Sequence, residues 1–137
     1  MARVLAIDYG TKRVGLAVTD PLQLIATALE TVHSKDVITY LTDYFKKEEV
    51  EAIVVGLPKR LDNTDTHVTE HIRQFKVHLE RSFSDKTITF IDERFTSKIA
   101  LNAMIEGGMS KKNRKQKGTL DKLSAVVILQ SYMESMR

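Results

Sequence analysis

The chain has 137 residues, 42% of them hydrophobic and 28% charged, with 21 Lys and Arg against 18 Asp and Glu, a formal net charge of +3 at pH 7 and a pI of about 9.1. That length is expected to fill one domain, residues 1–137, with a real core and no room for a second. The absence of cysteine excludes disulfides, thiolate metal sites and a thiol nucleophile, and the longest apolar run is too short to span a bilayer, so a cytoplasmic protein with no membrane partner is expected.

Val4, Leu5, Ala6 and Ile7 run apolar without alternation, as a strand covered on both faces does, so helices are expected above and below it. The run ends on Asp8, where packing alone would favour another apolar side chain. A carboxylate at the rim of such a strand sits where open α/β sheets receive ligands, although an Asp ending a strand before a glycine is as often a turn former. Tyr9, Gly10 and Thr11 turn the chain, Lys12 and Arg13 bring positive charge to the same rim, and Val14 to Val18 returns as a hairpin partner. Asp20 and Pro21 make a turn, after which Ile25 to Val32 reads as a third, antiparallel strand.

Ser34 is placed to cap a helix with Asp36 in its first turn, and Val37, Ile38, Leu41, Tyr44 and Phe45 recur at helical spacing before Lys46 and Lys47. Ala52 to Val55 is a second unalternating run, expected to pair in parallel with the first and to be closed by Gly56-Leu57-Pro58, with Lys59 and Arg60 following at the rim. A second helix is expected from about Asp65 to Phe83, with Val68, Ile72, Phe75, Leu79 and Phe83 as its buried stripe. His67, His71 and His78 flank that stripe; they read as amphipathic border residues, since no carboxylate or cysteine completes a metal site.

Thr87 to Ile91 forms a further strand running into Asp92, Glu93 and Arg94. Thr96 or Ser97 is then placed to cap a helix that carries Ile99, Ala100, Ala103 and Met104 and stops at Gly107-Gly108. Met109 to Gly118, MSKKNRKQKG, lacks apolar periodicity and reads as a mobile basic loop. A last helix is expected to start at Thr119, with Asp121 in its first turn, and its run Ala125 to Leu129 is apolar nearly all round, as a helix buried against a sheet should be.

Asp8 and Glu93 therefore stand at the ends of buried strands, and Asp121 near the start of a buried helix. If the topology gathers them at one edge, their mutual repulsion makes sense chiefly around a cation, and oxygen ligands without thiolates argue for Mg²⁺ or Mn²⁺. Such ions suit phosphodiester hydrolysis, with Lys12, Arg13, Lys59, Arg60, Arg94, Lys111, Lys112, Arg114, Lys115 and Lys117 as candidates for holding the phosphates of a nucleic acid. No serine triad or P-loop is present.

The motifs IDYGTKRVGLAV, VVGLP, DERFTS and DKLSAVVIL, in that order and nearly end to end, resemble the YqgF/RuvX family. The resemblance implies the RNase H-like α/β fold of Holliday-junction resolvases, a five-stranded mixed sheet of order 3-2-1-4-5 with helices on both faces. It also implies a metal-dependent nuclease of the bacterial cytoplasm, associated with maturation of the 5′ end of 16S rRNA. Carried over by residue, the acidic set is Asp8, Glu93 and Asp121, with Asp92 a weaker candidate because alternation along the strand favours the other face. Precursor rRNA is the implied partner, with branched DNA as the alternative substrate, a non-catalytic binding factor as the alternative role, and a monomer or weak homodimer as the expected state. Asp-x-Gly-Thr in the first motif also resembles the phosphate loop of actin-like ATPases, but those enclose nucleotide between two such domains, and this chain has length for one.

Overall fold

A computed structural model describes residues 2–10, 12–57, 67–92 and 117–136. In chain order they form β1 (Arg3–Tyr9), β2 (Arg13–Thr19), β3 (Ala26–His33), α1 (Val37–Lys47), β4 (Val50–Leu57), α2 (His67–Ser82), β5 (Thr87–Asp92) and α3 (Lys117–Ser135). The strands make one sheet of order β3-β2-β1-β4-β5. β1, β2 and β3 are an antiparallel meander, whereas β4 pairs with β1, and β5 with β4, in parallel. The unalternating runs in β1 and β4 are explained by this placement, because both faces of the central strands are covered.

Alternation along β1 sorts its side chains between two cores. Leu5 and Ile7 join Val37 and Leu41 of α1 and Phe75 and Leu79 of α2 on one face. Val4 and Ala6 join Ala125, Ile128, Leu129 and Met133 of α3 on the other. Helices thus lie on both sides of the sheet, and α3 packs mainly over β2, β3 and β1. Its apolar circumference is used accordingly: Ala125, Val127, Ile128 and Leu129 are buried and Val126 is half-buried.

Several boundaries differ from the sequence reading. The cap of α1 is Asp36, not Ser34, and it makes no side-chain capping bond. Asp36 is therefore outside the helix rather than in its first turn, while Lys46 and Lys47 do occupy the last turn. β4 runs through Gly56 and Leu57, where a turn was expected, because Gly56 still pairs with Asp8 and Ile91, and Leu57 with Asp92. α3 starts at Lys117, so the expected basic loop gives up its last residues to helix, and Asp121 lies beyond the first turn, which holds no acidic residue. The predicted helix between Thr96 and Gly108 falls outside the described residues.

The rim where β1 begins is tied by polar bonds that sequence patterning did not signal. Thr19, fully buried, accepts the Val4 N–H through Oγ1 at 2.9 Å. Arg3 donates to the Thr19 carbonyl at 3.0 Å and pairs with Glu48 at 3.2 Å. Lys86 donates to the Val50 carbonyl at 2.8 Å and lies 4.6 Å from the centre of the Phe45 ring, fixing the start of β4 against β5.

Candidate functional site

Asp8 is the next-to-last residue of β1, in the middle of the sheet at the rim where the parallel strands end. Its neighbour Tyr9 packs with the α1/α2 core and stacks on Phe75 with ring centroids 4.5 Å apart, and burial raises the Tyr9 hydroxyl pKa above its ordinary value. By alternation Asp8 belongs to the opposite face, the one covered by α3, and it is half-buried there. Its partners on both sides are glycines, Gly15 on β2 and Gly56 on β4. Glycine in a central strand is costly and commonly marks a place where a ligand or another backbone comes close. An oxygen donor of this kind suits a hard divalent ion.

The hairpin turn beside Asp8 is sterically fixed. A Cβ on Gly10 would lie 2.5 Å from the Arg13 carbonyl oxygen, a backbone atom that cannot yield cheaply. Lys12 and Arg13 follow on the same rim, both exposed, and the Lys12 carbonyl accepts the Ser34 N–H at 3.1 Å, tying the turn to the end of β3. Positive charge therefore stands beside the Asp8 rim, as expected.

α3 brings residue 121 toward the same rim. Tyr132 and Met133, near its C-terminal end, line a cleft with Val4 and Ala52, at the start of β1 and β4. From Met133 back to Asp121 a helix rises about 18 Å, against about 13 Å from Val4 to Asp8 along a strand. α3 thus runs away from the Val4 end of the sheet as it is followed back to residue 121. Asp92 pairs with Leu57 and occupies the alternating set of Ile88 and Phe90, positions on the α1/α2 side. Glu93, Lys59, Arg60, Arg94, Lys111, Lys112, Arg114 and Lys115 lie outside the described residues, and the described part of α3 begins at Lys117. His71 and His78 are exposed on α2, and no group of three or more His, Cys, Asp or Glu among the described residues is arranged to hold a metal. Asp8 is thus the one described residue of the predicted acidic set whose surroundings the structure shows.

A cleft of about 510 Å³ lies at the opposite rim. It is bounded by the β2–β3 connection and the end of α3, features that sequence reading treated as a turn and a helix terminus.

A mixed sheet of this order, with a carboxylate inside the rim of its first strand and helices on both faces, defines an RNase H-like protein. A solved structure described as Thermus thermophilus RuvC in complex with Holliday junction substrate shares the fold, with a TM-score of 0.61 over 97% of this chain and 96% of that one, at 16% identity. A structure of T. thermophilus RuvC described without the junction gives a TM-score of 0.57 at 15% identity, covering 96% of each chain. Residues 2–135 match the family model described as "RuvX: Holliday junction resolvase", and the chain belongs to that family. A relative from Amoebophilus asiaticus is 52% identical across all of this chain and 97% of its own, and carries the name "Putative pre-16S rRNA nuclease". A relative from Christiangramia forsetii with the same name is 48% identical over 97% of this chain and 98% of its own.

No helix among the described residues is long and apolar enough to cross a membrane.

Proposed function

We propose that this chain is a divalent-metal-dependent endonuclease of the cytoplasm that hydrolyses phosphodiester bonds in precursor 16S rRNA, at its 5′ end. The observation that carries the reading is Asp8, held inside a central strand between Gly15 and Gly56 at the rim that also bears Lys12 and Arg13. Membership of the RuvX family and the name shared by relatives such as those of A. asiaticus and C. forsetii support the choice of reaction and substrate.

In this reading Asp8, Glu93 and Asp121 form the acidic set. A bound Mg²⁺ or Mn²⁺ would supply activation of the attacking water and stabilisation of the leaving oxygen. Asp8 is held in place by a rigid central strand, with glycine opposite it on both neighbouring strands. Lys12 and Arg13 hold flanking phosphates, with Lys59, Arg60, Arg94, Lys111, Lys112, Arg114, Lys115 and Lys117 as further contacts. The chain acts as one domain, as a monomer or weak homodimer. A second reading, cleavage of branched DNA, is favoured by the family's own description as a Holliday junction resolvase.

The test is cleavage of a precursor 16S transcript and of a four-way DNA junction in Mn²⁺ and in chelator, comparing wild type with Asp8→Asn. The expected result is Mn²⁺-dependent cutting of the transcript that falls by about 100-fold or more in the variant while affinity is kept. Cutting of the junction alone selects the second reading. Equal binding with no cutting by either protein leaves a nucleic-acid-binding factor and overturns the nuclease.

A further inference from the structure

The end of the molecule opposite Asp8 has the features of a protein-docking surface. The large apolar side chains exposed among the described residues are Leu22 (58%), Leu24 (61%), Ile25 (66%), Val77 (48%) and Met136 (70%), and all but Val77 surround this end. They border two clefts, of about 510 and 370 Å³, which meet at Met133. Scattered apolar residues on a surface need no explanation, whereas four of the five large exposed ones gathered around two adjoining clefts make this end a candidate interaction site.

The β2–β3 connection that carries these side chains is built to stay put. The Asp20 carboxylate accepts N–H bonds from Leu22 at 3.2 Å and from Leu24 and Ile25 at 2.8 Å each. Gln23 is held at a φ of 57°, a conformation that a non-glycine residue adopts at a cost, and its amide donates to the Ala2 carbonyl at 2.9 Å and to Glu51. Exposed aliphatic side chains on a rigid turn gain nothing from folding itself, and a rigid apolar projection loses little entropy on binding.

Charge selects the occupant. Among the described residues, Glu51 lines one cleft and Glu134 the other, and none of those lining either is Lys or Arg. Arg3 and Lys86 at this rim are engaged with Glu48 and Asp85, so Glu51 and Glu134 set the charge that the clefts present, which favours a cationic occupant over nucleic acid, anionic lipid or a second copy of the same face. We propose that this end docks a partner protein through a short segment presenting apolar side chains flanked by Lys or Arg. The surface lies at the starts of β1 and β4, so it stays open while nucleic acid occupies the Asp8 rim, and the proposal does not depend on the nuclease reading.

The test selects random dodecapeptides displayed on phage against the immobilised full-length chain, with counter-selection on Leu24→Asp. Synthetic versions of the selected peptides then serve as probes. The expected peptides are apolar with Lys or Arg, and their binding falls about 10-fold or more in Leu24→Asp and in Glu51→Lys/Glu134→Lys, while Val77→Asp leaves it unchanged. Thermal melts of each variant confirm folding. Peptides without basic residues, or none that survive counter-selection, overturn the proposal. So does a concentration-dependent dimer abolished by Leu24→Asp, or binding of anionic phosphatidylglycerol vesicles lost in the same variant.

Discussion

Asp8 shows how much chemistry a single position declares. Its sequence signal was an acid at the end of an apolar run, and the structure sharpens it: the residue is within β1, with glycine across both neighbouring strands. Gly15 and Gly56 could not be matched to Asp8 from sequence, because register is a long-range property. Gly10 carries a local requirement instead. Gly10→Ala drives a methyl into the Arg13 carbonyl, and the expected cost of about 1–3 kcal/mol should appear as a lower Tm. Thr19 gave no sequence signal, since a Thr at a strand's end is unremarkable in composition. Thr19→Val keeps the shape but strands the buried Val4 N–H, and should cost about 1–3 kcal/mol in urea unfolding. Asp20 supplies a pH test. Amide donors, that of Ile25 foremost, hold its carboxyl pKa below the usual 3.8. The unfolded chain then binds the proton more readily, so the contribution is complete above the ordinary value and fades as pH falls through the folded one. The Tm gap between wild type and Asp20→Ala should be widest at neutral pH and close on acidification below 3.8.

At the scale of elements, apolar patterning was the most informative signal. Unalternating runs identified β1 and β4 as central strands, and the all-round apolar stretch of α3 identified a helix laid on the sheet. Both follow from burial, which acts on every residue of the run. Termini were legible only where a single local interaction decides them. Ser34 looked like a cap, but Asp36 holds the position without a side-chain bond, and packing of Val37 and Leu41 fixes where α1 begins. α3 begins two residues before Thr119, with Gly118 in its first turn, because a helix anchored by Ala125, Ile128 and Leu129 extends upstream despite poor local propensity. The anchoring itself is testable. Leu129→Ala empties a fully buried position between α3 and the sheet, and should cost about 2–5 kcal/mol with a matching fall in Tm.

The whole molecule is polarised along its strands. Parallel pairing of β1, β4 and β5 collects their ends at one rim, where Asp8, Lys12 and Arg13 stand, and their starts at the other, where Leu22, Leu24 and Met136 are exposed beside Glu51 and Glu134. The acidic set and basic run were visible as composition, but whether distant residues share a rim depends on topology, which the family resemblance supplied and the sheet order bears out. If the first rim receives phosphates, Lys12→Ala and Arg13→Ala should each weaken binding of all nucleic-acid sequences alike. Each should also reduce the slope of log affinity against log salt by about 1.

In the proposed function, cation binding beside Asp8 is the step on which hydrolysis depends, and anomalous diffraction from crystals soaked in Mn²⁺ reads it directly. The account predicts a peak at coordinating distance from the Asp8 carboxylate, between Gly15 and Gly56, that disappears in Asp8→Asn crystals. Mn²⁺ bound elsewhere with the Asp8 rim empty, or a peak unchanged by the substitution, would contradict it.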